Sequence, residues 1–204
     1  MDDWKSLVEK IRNTGYCNEA VEKAMLETPR ATFVLKEFEE YANYDQPLPI
    51  GEGQTTSQPS IIAYILTKLD LKEGMNVLEV GTGCGYVSAL LSKLVNNGKV
   101  TTVEINQKLL DFAKGRLASY KNIDFILGDG SAGFEKNAPY DRIILLSATP
   151  SMPEALFQQL KDEGKMMMPL GSALYQELVE IKKIGGKPDL THLMPVVFVP
   201  MVKP

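Results

Sequence analysis

Trp4, Leu7, Val8 and Ile11 stand at i, i+3, i+4 and i+7, the spacing that gathers apolar side chains on one helical face. A second helix is predicted from Asn18, a residue type that caps helix starts. It runs through Val21, Ala24 and Met25 and stops before Pro29. Between Pro29 and Gly53 no period is sustained, and Pro47, Pro49, Gly51 and Gly53 break the chain repeatedly. A long irregular stretch in a compact domain is usually functional or covered by a partner. Helical spacing returns between Ser60 and Leu71 through Ile61, Ile62, Ile65, Leu66 and Leu69.

After Gly74 the pattern changes. Short apolar runs (MNVLEV, KVTTVEI, IDFIL, DRIILL) now alternate with helical patterns (VSALLSKLV, KLLDFAKGRL), which predicts βαβ units and a parallel sheet covered by helices on both faces. MPEALFQQL adds a helix, and GKMMMPL, ELVEIKKI and MPVVFVPMV read as closing strands too near each other for helical crossovers. An antiparallel edge is therefore expected. The predicted organisation is one α/β domain over 75–204, preceded by a helical extension over 1–74 that packs on it.

Composition narrows the function classes. The 204 residues are 44% hydrophobic and 24% charged, as in soluble globular proteins. The net charge of −4, with lysines spread thinly, lacks the basic footprint of a nucleic-acid binder. Two cysteines without CxxC spacing and a single histidine offer no usual zinc ligand set and no disulfide framework. Cys17 and Cys84 are read as reduced and structural. His192 is read as a surface or packing residue, having no acidic or cysteine neighbour in a triad-like position. The charged, amphipathic start MDDWKSLVEK lacks the apolar core of a signal peptide, and no apolar run approaches a membrane span. A cytoplasmic protein with no membrane partner is expected.

The chemistry concentrates first in VLEVGTGCGY, residues 77–86, where an apolar strand runs into Gly81, Gly83 and Gly85 ahead of a helix. Glycines let backbone approach a ligand, and the helix start offers free N–H groups. Glu104 ends the next strand about twenty residues on, where an acid bonds a ribose diol. The pattern is G-x-G-x-G and not the dinucleotide G-x-G-x-x-G, and Glu79 precedes it. An acid there repels a pyrophosphate and suits an ammonium group such as that of S-adenosylmethionine. With Asp129 in LGDG able to accept from an adenine amino group, three acids stand at three successive strand ends. The competing reading is that they cap helices and solvate loops.

The second concentration is QTTSQP, residues 54–59, with hydroxyls at Thr55, Thr56 and Ser57. Local sequence favours Ser57 as an N-cap, with Pro59 just inside the helix. A hydroxyl beside free N–H groups is also a seat for a carboxylate.

Together these segments resemble the protein-L-isoaspartate (D-aspartate) O-methyltransferase family. The matching stretches are PRATFV at 29–34, YDQPLPIGEGQTTSQP at 44–59, VLEVGTGCGY, VEI at 103–105, GDG at 128–130, APYDRIIL at 138–145, ATP at 148–150, PEALFQQL at 153–160, GKMMMPLG at 164–171 and VVFVPMV at 196–202. The resemblance implies a Rossmann-like class I methyltransferase: a doubly wound, mostly parallel, seven-stranded sheet with an antiparallel edge. It implies S-adenosyl-L-methionine as cofactor, S-adenosyl-L-homocysteine as product, no metal, and isoaspartyl-containing peptides and proteins as substrates. Ser57 then falls at the catalytic position, with Thr55, Thr56, Ala148 and Pro150 on the substrate side. Glu79, Gly81, Thr82, Gly83, Glu104, Ile105, Asp129 and Gly130 fall at cofactor positions. Ser60 stands where many members carry a ring side chain, and Thr56 replaces a more usual isoleucine. A monomer is the default. Another class I methyltransferase acting on a small molecule or RNA, and a non-catalytic binding module, remain alternatives.

Overall fold

A computed structural model describes residues 3–202 and places strands in the order β5-β4-β3-β6-β7-β8-β9 in one sheet. The strands are β3 (Asn76–Val80), β4 (Lys99–Glu104), β5 (Ile123–Leu127), β6 (Tyr140–Leu145), β7 (Leu160–Gly171), β8 (Gln176–Ile184) and β9 (Lys187–Val196). β3 to β7 pair in parallel, and β8 pairs antiparallel with both β7 and β9. This is the doubly wound, mostly parallel sheet with an antiparallel edge that the alternating pattern predicts. β3 lies between β4 and β6, so the crossovers reverse direction there, and open sheets bind ligands at the carboxyl edge of that point.

The period-2 alternation of β3 sends Val77 and Glu79 toward one face and Leu78 and Val80 toward the other. Val77 belongs to a core formed with α3 (Pro59–Leu69), α4 (Tyr86–Val95) and α5 (Gln107–Arg116). Leu78 and Val80 pack in a second core with Leu156 and Phe157 of α6 (Glu154–Gln159). The N-terminal helices α1 (Trp4–Asn13) and α2 (Glu19–Leu26) add a further layer over α4. Asn18 caps α2 as its sequence predicts, its side chain accepting from the Val21 N–H at 2.9 Å. No helix among the described residues is long and apolar enough to cross a membrane.

Three segments depart from the sequence reading. The stretch from Pro29 to Gly53 is not structureless: it forms two 3-10 turns and the start of a hairpin, β1 (Leu48–Gly51) paired with β2 (Gln54–Thr56). Its two-residue turn holds Glu52 at φ 51 and Gly53 at φ 70. A turn of this kind is normally announced by Asn-Gly or Asp-Gly, so the glutamate hides it. The last strand ends at Val196, and Val197 to Met201 leave the sheet to cross its tip. There the Ala148 N–H donates to the Val199 carbonyl at 2.8 Å, and the Met201 N–H donates to the Ala148 carbonyl at 2.9 Å. Finally, Ser57 is not the cap of α3. Gln58 takes the N-cap position without a side-chain bond, and Asp45 reaches in from the preceding loop to accept from the Ser60 N–H at 2.9 Å.

Candidate active site

β3 delivers the chain into the glycine loop at the sheet's carboxyl edge. Gly83 takes φ +54, and its N–H donates to Glu104 Oε2 at 2.9 Å. The other carboxylate oxygen, Oε1, accepts from the Asn106 N–H at 3.0 Å. Two backbone donors thus fix the Glu104 carboxylate at the end of β4, where it lines a cavity of about 280 Å³. Gly81, Thr82, Gly83, Ile105 and Gly130 share that lining. At Gly130 the approach is so close that a Cβ would come within 2.4 Å of Val80 Cγ1. The N-cap of α4 is Gly85, which has no side chain to occupy the helix's first-turn N–H groups, and Tyr86 and Val87 also line the cavity.

Glu79 does not reach this cavity. It is the penultimate residue of β3, so the alternation turns it under α4, where it is wholly buried. Its Oε2 accepts from Ser88 Oγ and, at 2.7 Å, from Thr102 Oγ1, while Oε1 has no partner. Burial pushes its carboxyl up to about 8. The two hydroxyls oppose that rise, and the nearby Glu104 charge adds to it. Asp129 is half-buried and spends Oδ1 on the Ser131 N–H at 2.9 Å, capping a 3-10 turn outside the cavity wall. Of the three strand-end acids, Glu104 alone lines the cavity.

Ser57 stands between that cavity and a second one of about 500 Å³. Thr55, Ser57, Leu146 and Val199 line both. The second cavity opens between the β7–β8 turn, with Leu174 and Tyr175, and the segment Pro195 to Phe198. Leu174 and Val197 are almost fully exposed, giving its rim an apolar character. Thr56 lines only the first cavity, and its hydroxyl contacts the Cys84 thiol. Ala148 and Pro150 line neither. The Ala148 backbone is consumed in holding Val199 and Met201, and Pro150 faces solvent. His192 pairs with Glu177 on the exposed face of β8 and β9, with Nδ1 to Oε2 at 2.7 Å. Both cysteines are free and buried.

Several wall residues carried no signal in the sequence. Glu52, at the β1–β2 turn, arches over the first cavity and reaches Lys108 Nζ at 3.1 Å and Asn106 Nδ2 at 3.3 Å. Asn106 could have been found as the cap of the helix after Glu104. Val199 to Val202 were legible as part of the family-like VVFVPMV stretch and as strand, but not as a cavity wall. Among the described residues no group of three His, Cys, Asp or Glu side chains could hold a metal ion.

Comparison with known proteins gives a consistent result. Residues 2–204 match the family model described as Protein-L-isoaspartate(D-aspartate) O-methyltransferase (PCMT). A protein-L-isoaspartate O-methyltransferase of Pyrococcus horikoshii is 45% identical over 206 residues, covering 98% of this chain and 93% of that one. One from Methanococcus maripaludis is 43% identical, covering 96% and 94%. The crystal structure of a candidate enzyme of the same name from Plasmodium falciparum, in complex with S-adenosyl-L-homocysteine, superposes with a TM-score of 0.90 at 26% identity. That match spans 100% of both chains.

Proposed function

The chain belongs to the protein-L-isoaspartate(D-aspartate) O-methyltransferase family, and from that premise we propose which of its residues bind and orient the reactants. It is an S-adenosylmethionine-dependent protein carboxyl methyltransferase that methylates the free α-carboxylate of L-isoaspartyl residues in damaged proteins. The neighbouring backbone nitrogen of the substrate then attacks the ester carbonyl and expels methanol to give a succinimide. Water opens that ring to normal aspartyl in a fraction of the molecules and to isoaspartyl in the rest.

The residues of the first cavity fit the cofactor. An anionic acceptor fixed by two backbone donors suits a ribose diol, and this assigns Glu104. The uncapped start of α4 suits a carboxylate. Gly81, Thr82, Gly83, Ile105 and Gly130 provide walls that let a nucleoside approach the backbone. Asp129 stands just outside the wall beside Gly130; the Ser131 N–H holds its Oδ1, and its other oxygen is assigned the adenine amino group. Glu79 acts from behind the wall by tying β4 to α4. When bound, S-adenosylmethionine supplies an electrophilic methyl group on a sulfonium, and S-adenosylhomocysteine is what remains.

The observation that carries the assignment of Ser57 is its place on the shared wall of the two cavities. An isoaspartyl carboxylate has a pKa near ~4 and is ionised at neutral pH, so no general base is required. What the chain must supply is attack geometry, which can be worth roughly 7–11 kcal/mol. Ser57, with its side chain released from capping by Asp45, orients the carboxylate, with Thr55 beside it. The second cavity takes the flexible peptide. Ala148 contributes indirectly, by holding the Val199 wall, whereas Pro150 lines neither cavity.

Transfer of labelled methyl to an isoaspartyl peptide and its aspartyl twin tests this reading. Ser57→Ala is expected to lower kcat/KM on the isoaspartyl peptide roughly tenfold or more while changing S-adenosylhomocysteine affinity far less. Unchanged turnover removes Ser57 from the mechanism. A D-aspartyl peptide, with its free side-chain carboxylate, is the second substrate to try. The net charge of −4, with lysines spread thinly, supports proteins and not nucleic acid as substrates, and the enzyme is taken as a cytoplasmic monomer. Size-exclusion chromatography with light scattering checks the monomer.

A further inference from the structure

Arg30 is fully buried and lines neither cavity. Its Nη2 donates to the Ser57 carbonyl at 3.1 Å and, at 3.5 Å, to that of Thr56, while Nη1 reaches the Tyr44 carbonyl at 3.4 Å. Among the described residues Nε has no partner and no carboxylate pairs with the guanidinium. Asp45 is close enough to favour its charge but is committed to Gln58 Nε2 at 2.9 Å and the Ser60 N–H. An unneutralised cation therefore sits directly behind the backbone that presents Ser57.

Burying a charge costs far more than burying a neutral amide, and the Tyr44, Thr56 and Ser57 carbonyl dipoles offset only part of that cost. Pinning the 44–57 loop does not by itself explain a guanidinium. An anion arriving on the far side of Ser57 would offset more of that cost. We propose that Arg30 is a positioning residue that seats Ser57 through its carbonyl and makes the substrate side of the site select a carboxylate over its neutral carboxamide counterpart. This rests on the substrate carboxylate lying against Ser57.

The test uses the full-length enzyme with two peptides: an isoaspartyl substrate and the isoasparaginyl peptide as a neutral competitive inhibitor. Arg30→Gln is expected to raise KM for the isoaspartyl peptide roughly tenfold, the loss of a charge–charge attraction acting through the buried Ser57 backbone. Inhibition by the carboxamide and affinity for S-adenosylhomocysteine stay unchanged. Arg30→Lys, which keeps the charge, retains the carboxylate preference. Equal weakening of both peptides marks a purely structural role and overturns the proposal, as does an unchanged KM. If Arg30→Gln does not fold, loss of the carboxylate preference in Arg30→Lys is equally fatal. The two levels of failure are separable. Normal turnover in Ser57→Ala removes the site assignment, whereas an impaired Ser57→Ala beside a normal Arg30→Gln removes Arg30 alone.

Discussion

Glu79 and Glu104 look alike in the sequence, each an acid at the end of an apolar strand, yet they face different surroundings. Glu104 is the last residue of β4 and is caught by two backbone N–H groups at the cavity wall. Replacing it with glutamine removes the anionic acceptor, so S-adenosylhomocysteine affinity, measured by calorimetry, is expected to fall roughly tenfold. Glu79 lies one position before its strand's end, and that single step turns it inward. Its folded pKa of about 8 stands above the ordinary 4.5. Between those values the folded protein holds a proton that the unfolded chain has released. The contribution of Glu79 to stability is therefore fully present below pH 4.5 and is lost as pH rises toward 8. In Glu79→Gln the acceptor for Ser88 and Thr102 remains and the titration is gone. The cofactor-free variant should gain on the wild type as pH rises from 5 to 8.5, on the order of a few kcal/mol in urea unfolding. A pH-independent difference would mean that Glu79 is ionised where it lies. The position of each acid was legible from spacing. Its direction depended on where the strand stops, and local sequence fixes that only to within a residue or two.

At the scale of elements, regular alternation made β3 to β8 and the helices between them readable, because each buries one repeating face. The parts that build the site are the ones without a period. The β1–β2 hairpin was hidden by a glutamate at positive φ, where Glu52 is held by Lys108 and Asn106 across the cavity. The segment after β9 was read as strand because its residues are apolar, but those side chains wall two cavities instead of pairing along β8. Its hold comes from Gln176, buried at the start of β8. The Gln176 amide donates to the Phe198 carbonyl at 3.1 Å and accepts from the Phe198 N–H at 2.7 Å. Both bonds are enclosed, so their loss leaves two backbone groups without partners. Gln176→Ala is expected to destabilise the protein by about 1–3 kcal/mol and to raise KM for the isoaspartyl peptide. Val199 belongs to both cavities, so S-adenosylhomocysteine affinity should fall with it. A variant that lost stability but kept both affinities would show that the wall stands without this clamp.

For the molecule as a whole, the sequence divides at residue 74, where helical spacing gives way to alternation, but the packing does not follow that division. One continuous core holds Trp4, Leu7 and Val8 of α1 together with Tyr86 and Leu90 of α4, Val77 of β3 and Phe198. Trp4 meets the Tyr86 ring edge-on at 6.2 Å between centroids and donates Nε1–H to the Met25 carbonyl at 2.7 Å. The extension is thus bound to the first helix of the cofactor loop by buried apolar area, and such contacts couple folding across them. Trp4 is the chain's only tryptophan, so its fluorescence reports the extension, while far-UV dichroism reports the sheet and helices together. Denaturant unfolding followed by the two signals should give one coincident transition. The cavity proposed for S-adenosylhomocysteine lies at the start of α4, where Tyr86 lines it and also meets Trp4. At a hundredfold excess over its Kd this ligand should stabilise the protein by ~2.7 kcal/mol. Both signals should move together, because the energy added at the glycine loop is shared by the helices at the other face of α4. A tryptophan transition that came earlier, or that ignored the ligand, would show an extension folding on its own terms, and residue 74 would then mark a true domain boundary.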